Sequence, residues 1–495
     1  MSYKKFENNY KKIADINYSI AVLNWDQETY MPKKGAEKRA QQIATLSGIA
    51  HEMGTSKKLG KLLKKLKKAK KLSEIEQKNI KLALKDFKTA QKFSTDFVMK
   101  ESKAISVAFQ AWIKAREEDN FELYIPALTE IVKIQREKAE ILGYKDHPYN
   151  ALMNTYEPGA TVKDIDTLFA DVKKNLSPFT EKIFAKNKPE NKFMFQHFPH
   201  QKQWDFGMDI LTQFGFDFDA GRQDLSEHPF TTGFNAQDIR LTTRVVEDNF
   251  YDMLWSCIHE GGHGLYEQGL PTDQYGMPCG EAISLGIHES QSRLYENNVG
   301  RSKTFWQSNY PKLQEVFPEN LKKVSFEDYY QGINIVEPSL IRTDADELTY
   351  HFHIMIRYDI EKRLIEGSIE VKDLAKEWNA AYKKYLNIDV PSDKVGVLQD
   401  VHWAHGGFGY FPTYSLGSFY AAQFFKKAKA DVKDLEKEIE KGNMEPLLTW
   451  LRENIHQYGK FYSAQEVCEK ATGEKLNFKY FMEYVEEKYG EIYSL

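Results

Sequence analysis

Two histidines four residues apart stand in a stretch of helical period, and that spacing constrains the fold more than any other feature of the chain. In NFYDMLWSCIHEGGHGLYEQGLP, residues 249–271, Phe250, Met253, Leu254, Cys257 and Ile258 form one apolar stripe. Gly269 and Pro271 are ordinary helix terminators. On such a helix His259 and His263 leave the same face one turn apart, so both imidazoles can share one ion. Glu260 stands beside that ion rather than on it, placed to take a proton from water the ion activates. Gly261 and Gly262 run against propensity, since each costs about 1 kcal/mol relative to alanine in a helix interior. We read the missing side chains as room for a substrate backbone to approach the site.

A catalytic zinc site needs three protein ligands and an open position for water. A third histidine six residues beyond His263 is excluded, because position 269 is glycine. Downstream, GEAISLGIHESQSRLYENN offers Glu281, His288, Glu289 and Glu296, and spacing alone does not choose among them.

Most of the remaining chain also has helical period, as in IEQKNIKLALKDFKTAQKF and LYIPALTEIVKIQREKAEIL. NKFMFQHF and QDIRLTTRVV alternate like strands and are expected to pair into a small sheet. The expected class is mainly α with a minor β element. With 495 residues the chain exceeds one small core, but a large helical enzyme can form a single body around a groove. A net charge of −4 gives no global field favouring nucleic acid or membrane. No stretch approaches the roughly 18 apolar residues of a membrane span. The first twenty residues lack the pattern of a signal peptide. Three scattered cysteines suit neither a disulfide framework nor a cysteine metal site, and a cytoplasmic location is expected.

The run KKLGKLLKKLKKAKKL, residues 57–72, admits two readings. One is a helix that binds membranes or polyanions. The other, adopted here, is a surface helix whose stripe of Leu59, Leu62, Leu63, Leu66 and Ala69 faces the core while its lysines are solvated.

H-E-x-x-H followed by HESQ resembles the carboxypeptidase Taq family of metallocarboxypeptidases, peptidase family M32. Other motifs of that family occur in order: HPF (His228–Phe230), DIRLTTR (Asp238–Arg244), IRTDAD (Ile341–Asp346) and GVLQDVHW (Gly396–Trp403). LNWDQETYMP around Trp25 and the later FGYFPTYSLG look like family sequence too, so the likeness runs from about residue 20 to about residue 420. It implies that Glu289 is the third ligand. It also implies one catalytic domain over 1–495, a helical body whose two halves flank a deep groove, similar to neurolysin and angiotensin-converting enzyme. Further implications are removal of single C-terminal residues with broad side-chain tolerance, a divalent metal (usually zinc, with cobalt also supporting activity), and a homodimer.

An enzyme of that kind must grip a free carboxylate, and Arg342 is the leading candidate. Thr343 is expected to N-cap a helix running through TDADELTYHFHIMIRYDI, with Asp346 completing a capping box, so that arginine and helix N-terminus together would favour an anion. Arg240 and Arg244, four apart, are rivals or helpers. QDVHWAHGGFGYFPTYSLG shows no clear helical period and reads as a loop that lines a pocket. His402, His405, Tyr410 and Tyr414 there are possible oxyanion donors, with His402 ranked first as a lining residue, beside Asp400, and Tyr414 first as donor. Asp346 could alternatively orient a metal-bound imidazole. The nearest rival activity is a helical zinc oligopeptidase that cuts inside short peptides. A non-catalytic binding protein using the basic helix is disfavoured by the intact Glu260.

Overall fold

The helix of the two histidines runs from Phe250 to Gln268, and Asn249 caps it by accepting from the Asp252 backbone N–H. In the computed structural model, which describes residues 2–495, its apolar stripe is wholly buried. Among the elements that pack on this helix are the helix His200–Phe214, the strand Asp238–Thr243 and the helix Leu285–Arg293. The strand belongs to a three-stranded sheet of β1 (Gly221–Leu225), β2 (Thr231–Asn235) and β3 (Asp238–Thr243), in the order β1-β3-β2. β1 runs parallel to β3, pairing Gly221 with Ile239, and β2 runs antiparallel, pairing Thr231 with Leu241. The minor sheet is thus centred on the segment QDIRLTTRVV. The other expected strand, NKFMFQHF, instead contains a short 3-10 turn at Lys192–Met194. Of its apolar side chains, Phe193, Met194 and Phe198 are buried without a ladder, while Phe195 is exposed.

The chain divides into two compact units with interleaved segments. The first comprises Met1–Gln91, Pro189–Ile333 and Tyr420–Asn477, and the second Lys92–Lys188, Asn334–Phe419 and Phe478–Leu495. The histidine helix and the sheet lie in the first. At the heart of the second is the helix Tyr350–Glu366, buried on nearly every side, as expected of a core helix rather than an amphipathic one. It starts later than its sequence suggests. Arg342–Asp344 form a 3-10 turn, and Thr343 caps nothing. Asp346 Oδ1 accepts from the backbone N–H groups of Leu348 and Thr349, and Oδ2 accepts from the Thr349 hydroxyl at 2.6 Å. Those bonds divert the backbone before the helix can begin. Similarly, FPTYSLG is not loop, because a helix begins at Pro412 and runs to Asp431.

The lysine-rich run forms the helix Lys57–Leu66. Leu59, Leu63 and Leu66 are buried against Phe6, Ile80, Ala83, Leu84, Phe87 and Met277, with Leu62 packed at the edge. Ala69 lies beyond the helix end and is exposed. The apolar face is therefore committed to the core. Leu63→Ala is expected to cost about 2–5 kcal/mol of stability, and Lys64→Ser/Lys65→Ser less than about 1 kcal/mol in total. Urea unfolding checks both, and equal losses from the two variants would contradict this packing.

Candidate active site

His259 and His263 project from the buried helix toward Glu289 on the next helix, Leu285–Arg293. Glu289 Oε2 lies 3.8 Å from His259 Nε2 and 3.5 Å from His263 Nε2. One donor atom from each of the three residues falls within 4.8 Å of the other two. Two imidazoles and a carboxylate at such separations match the donor set of a divalent ion that keeps a position open. The opposite ring nitrogens are already engaged, which fits that use. His259 Nδ1 is 2.7 Å from Glu296 Oε2. His263 Nδ1 is 2.5 Å from His288 Nδ1, and His288 Nε2 is 2.8 Å from Glu267 Oε1. With each chain ending on a carboxylate, the outer nitrogens carry protons and Nε2 of both histidines turns toward Glu289. Against burial, Glu289 and Glu296 raise the His259 imidazole, so a bound cation would take the place of a proton there.

Arg293 organises the acids. Its Nε donates to Glu289 Oε1 at 2.7 Å and its Nη1 to Glu296 Oε2 at 3.1 Å. Burial alone would raise the Glu289 carboxyl, but Arg293 and the imidazoles hold it well below the usual range. Glu296 is held to about 2 in the same way, against burial, by Arg293 and His259. Burial and the neighbouring His288 hold His263 down to about 3. These groups present lone pairs at neutral pH.

Glu260 is buried, and burial pushes its carboxyl up. Thr231 Oγ1 at the start of β2 donates to Glu260 Oε2 at 2.5 Å and lies 3.1 Å from the Glu260 carbonyl. The sheet therefore fixes one oxygen of that carboxyl. β3 contributes from behind, where Thr243 Oγ1 meets Ser256 Oγ on the histidine helix at 2.8 Å.

The glycines answer a different demand from the one read in the sequence. A Cβ on Gly262 would stand 2.6 Å from the Gln291 carbonyl oxygen and 2.7 Å from Ser292 Cα. On Gly261 it would meet Leu211 Cδ2 at 2.5 Å. Both glycines are buried against protein, so they serve helix–helix approach, not the approach of a substrate backbone. At Gly262 the neighbour is backbone and cannot move aside.

The family model for the carboxypeptidase Taq (M32) metallopeptidases matches residues 5–489. The chain belongs to this family. It is 39% identical over 494 residues to Carboxypeptidase 1 of Bacillus subtilis (strain 168), covering 99% of each chain. It is 38% identical to Thermostable carboxypeptidase 1 of Thermus thermophilus, covering 96% of this chain and 95% of that one. The crystal structure of the M32 carboxypeptidase from Deinococcus radiodurans R1 matches with a TM-score of 0.98 at 36% identity, over 100% of both chains. Membership brings metal-dependent carboxypeptidase activity, and the mainly helical class with a small sheet is the fold of these relatives.

The other candidate residues of this M32 chain fall into separate settings. In the second unit, Arg342 is nearly buried and donates through Nε and Nη2 to Asp400 Oδ1, at 3.0 and 2.9 Å. Its guanidinium lies over the Tyr414 ring, 5.2 Å from the centroid. His402 Nε2 is 3.2 Å from the Tyr414 hydroxyl, and burial takes the His402 imidazole down to about 4. Arg342, Asp400, His402 and Tyr414 thus form one cluster. His405 is outside it: exposed, with its ring 5.0 Å from that of Phe109. Asp346 serves its own backbone turn and Glu337 N–H; the carboxylate on the His259 ring is Glu296. In the first unit, Arg240 pairs with Asp238 at 2.6 Å and lies over Trp25, while Arg244 pairs with Asp252. Glu281 is drawn to Lys460, away from the histidines.

Sequence reasoning missed Thr231, Arg293, Arg357 and Glu361. The last is fully buried, with Oε1 accepting from Trp403 Nε1 at 2.8 Å and Oε2 from the Tyr149 hydroxyl at 2.7 Å and Gly409 N–H at 2.9 Å. It ties the glycine-rich segment to the core helix. An arginine or glutamate on the apolar face of a helix was the available signal.

Gly262→Ala is expected to weaken metal affinity by at least about tenfold and to destabilise the protein by about 1–3 kcal/mol, read by chelator competition and thermal unfolding. Retained affinity would mean the helices need not touch. Burial pushes the Glu361 carboxyl up to about 7. Its folded-state value then exceeds the unfolded one, so folding takes up a proton, and stability falls as pH rises from the ordinary carboxyl range to about 7. Glu361→Gln should flatten that slope, at the expense of one hydrogen bond, in unfolding measured across this window.

Proposed function

We propose that this protein is a zinc-dependent metallocarboxypeptidase that removes single C-terminal residues from peptides with broad side-chain tolerance. We further propose that it works as a homodimer in the cytoplasm, with cobalt able to replace zinc. The observation that carries the reading is the convergence of His259 Nε2, His263 Nε2 and Glu289 Oε2 beside a buried Glu260, in a chain of the M32 family.

His259, His263 and Glu289 would hold the ion. Bound there, it would polarise a water and the scissile carbonyl, the Lewis-acid role of such ions. Glu260 is the general base: its raised, buried carboxylate takes a proton from the attacking water and later delivers it to the departing amine. Thr231 occupies one of its oxygens and leaves the other for this exchange. Glu296 and the His288–Glu267 pair hold the two imidazoles in the tautomer that offers Nε2. Arg342 grips the terminal carboxylate and sets the register, so that only the last peptide bond is cut. Three of its five N–H groups are taken by Asp400 and Tyr350, which leaves one on each terminal nitrogen for a bidentate contact. Tyr414 and His402 line the same cluster, and Tyr414 is the leading oxyanion donor. Arg240 and Arg244, each paired with an aspartate, are secondary candidates for the substrate.

A mass-spectrometric time course on one long peptide tests direction and mode, with a ladder losing one C-terminal residue at a time expected. A C-terminally amidated twin should be cut far more slowly; equal cleavage of both favours the oligopeptidase reading. Chelation should abolish release and added zinc or cobalt restore it. Glu260→Gln is expected to lower kcat by about 10²–10⁴-fold with metal content unchanged. Arg342→Ala should raise KM for free-acid peptides and spare metal binding.

A further inference from the structure

Arg357 is fully buried in the second unit and lies outside every motif that carries the family likeness. All five of its N–H groups are engaged. Nε donates to Asp400 Oδ2 at 2.6 Å, Nη1 to the His353 carbonyl at 2.9 Å, and Nη2 to Gln399 Oε1 at 2.7 Å. The Tyr382 hydroxyl lies 3.4 Å from both terminal nitrogens. The guanidinium plane sits over Trp378, 4.5 Å from the ring centroid. A group enclosed in this way has no donor left for a ligand.

Arg342 shares the same counter-ion but is placed differently. It takes Asp400 Oδ1, the oxygen that Arg357 does not use, and its backbone N–H donates to Gln399 Oε1 at 3.0 Å. Charge counting decides what this sharing does. Arg342 and Asp400 alone would be a closed, neutral pair with little reason to accept a second carboxylate. With Arg357 present, two guanidiniums share the one carboxylate they pair with, and those three groups leave one positive charge uncompensated. The next carboxyl, Glu361, is held toward its neutral form by burial. Its neighbours register that excess. Against burial, the two arginines hold the Asp400 carboxyl well below its usual range. Burial, reinforced by the same arginines, holds His353 well below its ordinary value.

We propose that Arg357 is a positioning residue for substrate recognition: by occupying Oδ2 of Asp400 it leaves Arg342 with surplus positive charge and two free N–H groups for a peptide's terminal carboxylate. This rests on the reading of Arg342 as the carboxylate grip. The rival account is that Arg357 is only a core ion pair, contributing stability and nothing to recognition.

Steady-state kinetics of the zinc-loaded enzyme on an N-blocked free-acid peptide separates the two. Arg357→Gln removes the charge and should raise KM about ten- to a hundredfold, the effect of one charged contact, with kcat changed much less. Adding Asp400→Asn to that variant restores one net positive charge, and KM should recover by about tenfold or more. A merely structural arginine predicts lower melting temperatures, unchanged KM and no recovery. Where Arg357→Gln does not fold, Arg357→Met, a neutral side chain of comparable length, carries the test. It removes the charge and keeps apolar contact with Trp378, so KM should rise by about tenfold or more; an unchanged KM overturns the inference. Arg342→Ala is measured alongside. If it leaves KM unchanged, the grip reading itself fails; if it raises KM and Arg357→Gln does not, only the role of Arg357 falls.

Discussion

The candidate metal site depends on a contact between two backbones. Gly262 faces the Gln291 carbonyl and Ser292 Cα so closely that no side chain fits between the two helices. Glu289 lies in the same stretch as Gln291 and Ser292, so the separation of the helices also sets how far its carboxylate stands from the imidazoles. The two glycines together cost about 2 kcal/mol of helix propensity. Burial of the stripe Phe250, Met253, Leu254, Cys257 and Ile258 offsets that loss, because a fully buried large apolar side chain contributes about 1.5–3 kcal/mol. Packing secures the helix, and the glycines are free to serve proximity.

Once the helices touch, three acidic and basic groups on one face do the rest. Glu289, Arg293 and Glu296 stand at i, i+4 and i+7, and the last lies in a widened π-helical turn, Leu294–Val299, that continues the helix. Such turns recur at functional sites because they re-aim one side chain without ending the helix. Here Glu296 reaches the His259 ring, and Arg293 lies between both carboxylates. Without that guanidinium, two ionised carboxylates would share a buried pocket, at a penalty of several kcal/mol per ion.

The histidine helix was legible in the sequence because period, cap and terminators all agreed, and its observed bounds, Phe250–Gln268, lie within the segment read. The third corner was not legible from spacing: Glu281, His288, Glu289 and Glu296 stand within sixteen positions, and only the folded helix turns Glu289 inward and Glu281 toward Lys460. The role of Gly261 and Gly262 is not legible in the sequence, which shows that a side chain is missing but not what fills the space. Asp346 and Thr343 had the pattern of a capping box, yet local bonds to Leu348 and Thr349 delayed the helix to Tyr350. The two-unit organisation was hidden for a topological reason. The chain passes between the units at residues 91, 188, 333, 419 and 477, so no single composition shift marks a boundary.

The two charge clusters turn opposite groups inward. In the first unit, Arg293 holds Glu289 and Glu296 in their ionised form, and Glu289 Oε2 stands 3.8 and 3.5 Å from Nε2 of His259 and His263, so the atoms that converge there are electron-pair donors. In the second, Arg342 and Arg357 divide the two oxygens of Asp400 and leave that trio with one positive charge in excess. A fully balanced buried trio would be inert, since every added ion would create an imbalance that low-dielectric surroundings penalise. The first cluster therefore favours a cation and the second an anion, which are the two kinds of ligand that a metal-dependent enzyme acting on a chain end has to hold.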